Sequence, residues 1–375
     1  MNILLITPPL TQLNTPYPAT AYLKGFLVKN GYNVHQCDLG IELVNRLFTR
    51  HALGELFSRQ FERDLTKFPK SVQHTLANKH KYLNSIDAVI AFLRGNDPTL
   101  ATRICNTDFL PRGKRFNDIT DIEWAFGALG FTDQAKYLCT LYIEDLTDLI
   151  RETECPYFEL NRYAEKLSLY MPHFDNMEKA LNASTNIVDE LMLSILDEKI
   201  QSCKADFIGF SVPFPGNLYG ALKCGQYIKK TYPSCTLAMG GGYVNTELRG
   251  LSEERVFKYI DYILLDDGEP AILKLLQYIE GNADIEELVN TFAIDNTNNI
   301  TFYQSKLQCC IAPEDKGTPD YSDLPINKYL SMIEIANPMH KLWSDGQWNK
   351  LTLAQGCYWA KCAFCDTTLP YIGEY

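Results

Sequence analysis

The amino-acid sequence predicts an α/β fold: a doubly wound, five-stranded parallel sheet carrying a large helical insertion. Three observations predict it. Five short runs, residues 2–7, 33–38, 206–211, 235–240 and 261–265, are largely apolar or β-favouring, as strands buried on both faces should be. Helical periodicity follows several of these runs, and alternating strand and helix indicates a parallel sheet with helices on its faces. The stretch between the second and third runs, residues 39–203, is helical in pattern and too long to be a bare loop.

The first run begins at Asn2 with no basic segment before it and is too short for a signal peptide, so it reads as a strand. The helix over residues 18–29 places Ala21, Tyr22, Phe26 and Leu27 on recurring faces, with Gly31 just past its end. In the insertion, helical periodicity covers residues 41–61, 71–93, 121–151 and 176–202. Leu218, Leu222, Gly225 and Ile228 mark a helix over 217–232. Pro270 opens another over 270–279, at a position where its missing N–H costs nothing. Asn296-Thr297-Asn298-Asn299 joins residues 293–295 to 300–303 as a hairpin. The turn-rich, acidic residues 319–325 read as a linker, and residues 331–336 and 351–354 as short strands. The predicted units are residues 1–40 with 204–290 (sheet), 41–203 (insertion), 291–330 (hairpin and linker) and 331–375.

Composition limits the function. The chain has 375 residues, 46% hydrophobic and 22% charged, which suits a globular protein with more than one core. A net charge of -11 argues against nucleic acid as a partner. No apolar run reaches the roughly 20 residues a membrane helix needs, so no membrane partner is expected either. Of twelve cysteines, Cys37, Cys105, Cys139, Cys155, Cys203, Cys224 and Cys235 are scattered through strand-like and helix-like segments and read as buried free thiols. Cys309-Cys310 reads as a core or edge pair. A reducing cytoplasm is the expected location. His51, His74, His80 and His173 lack mutual ligand spacing.

Ligands of open parallel sheets bind beyond the carboxyl ends of the strands. Here those ends carry Thr7-Pro8-Pro9 running on to Thr11, then Asp38-Leu39-Gly40, the loop from Ser211 to Asn217, Gly240-Gly241-Gly242-Tyr243, and Asp267-Gly268-Glu269-Pro270. Several loops of this kind on one edge suit a bound cofactor, and absent side chains let a broad group approach the main chain. The first loop has no glycine before Gly25, which excludes the usual G-x-G-x-x-G dinucleotide site.

Near the end of the sequence Cys357, Cys362 and Cys365 are spaced C-x4-C-x2-C. Three thiolates in one loop can hold three irons of a 4Fe-4S cluster and leave the fourth iron open. Zinc held by Cys362 and Cys365, with Cys357 or His340 completing the site, is the alternative.

Together these pieces resemble a cobalamin-binding radical S-adenosylmethionine (SAM) protein. Residues 3–9, the Ser211 loop, Gly240-Gly241-Gly242 and residues 267–270 are similar to its flavodoxin-like cobalamin domain. Residues 318–325 are similar to its connector, and residues 356–365 to the cluster loop that opens its partial (β/α) barrel. The resemblance implies cobalamin contacts at Thr7, Pro8, Pro9, Thr11, Asp38, Ser211, Gly240, Gly241, Gly242, Tyr243, Asp267, Gly268 and Glu269. It implies a 4Fe-4S cluster on Cys357, Cys362 and Cys365, with Phe364 near the adenine of SAM. It also implies an external electron donor, a small-molecule or peptide substrate, and methyl transfer to an unactivated carbon by way of a 5′-deoxyadenosyl radical. Two departures stand out. The first cysteine gap is one residue longer than the usual C-x3-C-x2-C, and Asp38-Leu39-Gly40 lacks the histidine of D-x-H-x-x-G, which implies cobalt without a histidine ligand from this loop. Later barrel strands are missing, so the chain is expected to be part of a longer enzyme and inactive alone. The other reading is a non-catalytic cobalamin-binding module with a structural metal at the cysteines.

Overall fold

The computed structural model describes residues 1–60, 63–119, 122–127, 130–160, 174–305 and 311–336, and then 351, 354, 356–359, 361 and 365–373. In chain order the sheet strands are β1 (Asn2–Thr7), β2 (Asn33–Asp38), β3 (Phe207–Ser211), β4 (Thr236–Gly240), β5 (Tyr262–Leu264), β6 (Thr291–Ile294) and β7 (Ile300–Tyr303). They lie in the order β2-β1-β3-β4-β5-β6-β7. The first five run parallel as expected, while β6 is antiparallel to β5 and β7 to β6. The sheet is therefore mixed and seven-stranded, and the hairpin expected to stand outside it extends it. Phe292 and Phe302 pack at 4.6 Å between ring centroids across this ribbon. Its turn is built by Asp295, whose carboxylate accepts from the backbone N–H of Thr297 and Asn299 at 2.8 and 3.0 Å.

The described helices are α1 (Ala19–Lys29), α2 (Leu39–Leu47), α3 (Arg50–Arg59), α4 (Lys70–Ala77), α5 (Lys79–Leu93), α6 (Leu100–Asn106), α7 (Ile122–Phe126), α8 (Phe131–Thr153), α9 (Asp175–Leu181), α10 (Ile187–Cys203), α11 (Gly216–Thr231), α12 (Gly242–Glu247), α13 (Gly268–Ile279) and α14 (Pro370–Gly373). The long helices expected in the insertion are each divided in two, and at two of the four divisions a polar side chain inside the periodic run caps the new helix. Thr49 Oγ1 accepts from Ala52 N at 3.2 Å to begin α3, and Asn186 accepts from the N–H of Val188 and Asp189 to begin α10.

Alternation along the buried strands sends side chains to two cores. Ile3, Leu5, Phe207 and Ala238 pack under α1 and α13. Leu4, Ile6, Ile208, Phe210, Leu237 and Met239 face α2, α10 and α11, and this core continues without a break through Tyr82, Tyr142 and Leu146 of the insertion. The insertion is thus the outer layer of one face of the sheet.

Residues 316–333 are not a loose connector. Lys24 of α1, buried, pairs with Asp323 at 2.8 Å and Asp320 at 3.3 Å, and Asp320 N donates to Ala21 O. Asp323 also accepts from Gln36 N at 3.0 Å, which satisfies a free donor on edge strand β2. Gly25 permits this crossing: a Cβ there would lie 1.9 Å from Thr318 O. Farther along, Tyr329 donates to Asp38 at 2.7 Å, Leu330 N to Leu13 O, Ser331 N to Leu93 O and Ile333 N to Thr140 Oγ1. Residues 331–336 are accordingly no strand; Met332 and Ile333 are buried, Ile333 against Ala125 and Phe126 of the insertion, while Ile335 is exposed. Leu351 and Ala354 are not in a strand either, while residues 352–353 of that expected strand lie outside the described residues.

Candidate cofactor-binding site

The register of the sheet creates the candidate site. Leu5 pairs with Gly209 and Gly209 with Ala238, forming one row across β1, β3 and β4. Two residues farther along, Ser211 and Gly240 form the next row on the same face, at the sheet edge. The row below is filled by Ile3 and Phe207, and the small residues Gly209 and Ala238, with Leu5 packed over Gly209, form a buried floor beneath α1 and α13. A cavity of about 870 Å³ runs from the edge row down to Leu5, Gly209 and Ala238 and is bounded by Leu23 and Ile272. It lies where β1 and β3 diverge in chain order, the position at which open α/β sheets bind ligands.

Aromatic and polar groups rim this apolar slot. Tyr17 and Tyr22 line it from the β1–α1 region, and Tyr17 meets the half-exposed ring of Phe214 edge-on at 5.8 Å. Burial raises the Tyr17 phenol above its ordinary value, keeping it a neutral donor. Glu269, at the start of α13, has its carboxyl pushed up by burial, while the nearby Lys316 ammonium opposes that shift. Asp266 holds a left-handed backbone at φ 63°. It is fixed by an ion pair with Arg249 and by Asn290 Nδ2 at 2.9 Å. The outer wall is the strap, through Lys316, Gly317, Thr318 and Pro319, and Leu351 and Ala354 also reach the lining.

Of the residues expected to contact a cofactor, Ser211, Gly240, Gly241, Gly268 and Glu269 line the cavity. The others are placed elsewhere. Thr7 and Thr11 are buried. Pro8 accepts from Asn217 Nδ2 at 2.7 Å, and Pro9 packs against Gly220 of α11. Asp38 caps α2 by accepting from Ile41 N and also binds the Tyr329 hydroxyl; burial pushes its carboxyl up to about 6. Gly242 allows close passage of Pro213 O, and Tyr243 N donates to Val212 O. Asp267 precedes α13 and faces Lys316 at 3.8 Å. The slot residues Gly209 and Ala238 carried one sequence signal, a glycine inside a buried strand, which marks close approach of another group. Lys316 carried none, because its place depends on the strap.

The cysteines divide by environment. Cys37, Cys139, Cys155, Cys203, Cys224 and Cys235 are buried, and desolvation raises the thiols of Cys37, Cys139, Cys203, Cys224 and Cys235, which disfavours the thiolate a metal requires. Cys105 is half-buried and pushed up to about 11. Cys365 is exposed and Cys357 half-exposed, so these thiols have the access a cluster loop needs. Cys362 and Phe364 lie outside the described residues, as do Cys309, Cys310, His173 and His340. Among the described residues, no group of three or more His, Cys, Asp or Glu side chains is arranged to hold a metal ion, and no helix is long and apolar enough to cross a membrane.

Comparisons with family models, with curated proteins and with solved structures each return no match.

Proposed function

We propose that this chain belongs to a cobalamin-dependent radical SAM enzyme, with cobalamin held in the sheet-edge cavity and a 4Fe-4S cluster on Cys357, Cys362 and Cys365. The observation that carries this reading is the cavity beside α1 and α13, lined by Leu5, Gly209 and Ala238 on its floor and by Ser211 and Gly240 at the sheet edge. Its shape suits a ligand with a flat, largely apolar arm and a broad body. A corrinoid has both, in its nucleotide base and its macrocycle.

In this reading Leu5, Gly209, Ala238 and Ile272 enclose the base and exclude water from it. Gly240 and Gly241 bring main chain rather than side chain against the macrocycle, and Ser211 offers a hydroxyl at the same edge. Tyr17 and Phe214 border the mouth. Asp38 is occupied as a helix cap. When bound, the cofactors supply the methyl group and the hydrogen-abstracting radical; the protein positions them and keeps competing reactants out. The substrate and the electron donor would meet the cofactors at this edge.

Anaerobic reconstitution tests the reading. The expected result is one corrinoid per chain, with about four irons and four sulfides on the cysteine loop. Zinc without sulfide in protein prepared under nitrogen would reject the cluster, and absence of any corrinoid spectral shift would reject the cavity assignment.

A further inference from the structure

We propose that Lys316, on the strap, is a ligand-contacting residue that recognises the phosphodiester of the cofactor's nucleotide arm and so selects complete cobalamin over corrinoids that lack this arm. The inference rests on the corrinoid reading of the cavity and extends the site beyond the sheet edge. Among the described residues lining the cavity, Lys316 is the only cation. Its side chain is 16% exposed and stands beside the start of α13, with Asp267 at 3.8 Å. That position is at the level of the sheet edge, whereas Leu5, Gly209 and Ala238 lie two residues deeper. An arm whose base enters the slot and whose macrocycle stays at the edge must pass its single negative charge between those levels.

The other charges near the cavity fit this assignment. Asp266 is already neutralised by Arg249. Asp267 lies 3.8 Å from the Lys316 ammonium, beyond hydrogen-bond range. The strap also holds Lys316 in place from behind, through the Gly25 crossing and the Lys24–Asp320–Asp323 cluster. Charge-assisted bonds to phosphate are among the stronger polar contacts, so losing one has a measurable effect on affinity.

The test is absorbance titration of the full chain with cobalamin and with cobinamide, which keeps the macrocycle but lacks the phosphate and base. Lys316→Met is expected to weaken cobalamin about tenfold or more and to leave cobinamide within about twofold, with Lys316→Arg retaining much of the preference. Equal weakening of both ligands, or of neither, would overturn the role assigned to Lys316 while leaving the cavity assignment standing. Failure of the unsubstituted chain to bind either corrinoid would overturn the cavity assignment and this inference with it. Amide exchange over residues 316–324 in the unliganded Lys316→Met chain checks that the strap remains seated.

Discussion

Single side chains decide whether the sheet face is a solid core or a slot. Gly209 and Ala238 stand side by side in register on the floor of the cavity under α1 and α13. Ala238→Phe should therefore fill the slot and reduce corrinoid affinity more than about tenfold. Far-UV circular dichroism should be unchanged, since the added ring enters existing space rather than a packed core. Undiminished binding measured by absorbance titration would show that the ligand arm does not enter there. Asp38 illustrates a different effect at the same scale. Burial pushes its carboxyl up to about 6, so the folded state holds this proton more tightly than the unfolded chain, whose carboxyl titrates near 3.9. Stabilisation from the group is complete below about pH 4 and is lost as pH rises through 6. The unfolding free energy of the natural chain relative to Asp38→Asn should fall by about 2 kcal/mol between pH 4 and pH 7. Urea denaturation at the two pH values measures it, and a pH-independent difference would contradict the assignment.

At the scale of elements, the strap explains features that would otherwise look like defects. Gly25 sits inside α1, where alanine would favour the helix by about 1 kcal/mol. A Cβ at that position meets backbone, Thr318 O, at 1.9 Å, and backbone cannot swing aside as a side-chain tip can. The steric effect should win. Gly25→Ala is expected to lower stability by about 1–3 kcal/mol and to speed amide exchange across residues 316–324. A more stable variant with unchanged exchange would mean the strap does not cross there. The acidic residues of this segment acquire a structural role in the same way, since Asp320 and Asp323 enclose a buried lysine and Asp323 blunts the β2 edge.

For the molecule as a whole, the insertion and the sheet fold as one body. Leu4, Ile6, Phe210 and Met239 share one core with α2 and α10, the helices at the two ends of the insertion, and with α11. Replacing residues 41–203 by a short flexible linker should abolish cooperative unfolding and expose enough apolar surface to cause aggregation. A soluble, cooperatively melting product in calorimetry would instead mark the insertion as an independent domain. The hairpin extends the sheet at its far edge, and the strap returns the chain toward the cavity. The ligand site therefore draws on segments far apart in sequence.

Much of this architecture was legible from local physics. The five parallel strands follow from short runs buried on both faces, and their bounds agree within a residue, because burial favours apolar side chains at most of those positions. The edge loops were legible through Ser211, Gly240-Gly241 and Gly268-Glu269, whose small or polar residues serve a close approach. The divided helices of the insertion were less so, since capping by Thr49 or Asn186 is a local choice that periodicity does not report. Local sequence sufficed for the strands, their helical layers, the cysteine spacing and the edge at which the cavity lies. Tertiary structure alone decided that β6 and β7 join the sheet, that Asp38 is a helix cap, that Gly209 and Ala238 line the cavity, and that Lys316 belongs to its wall. Each of these depends on which distant segment lies opposite a residue, and pairing of that kind is set by the packing of the whole chain.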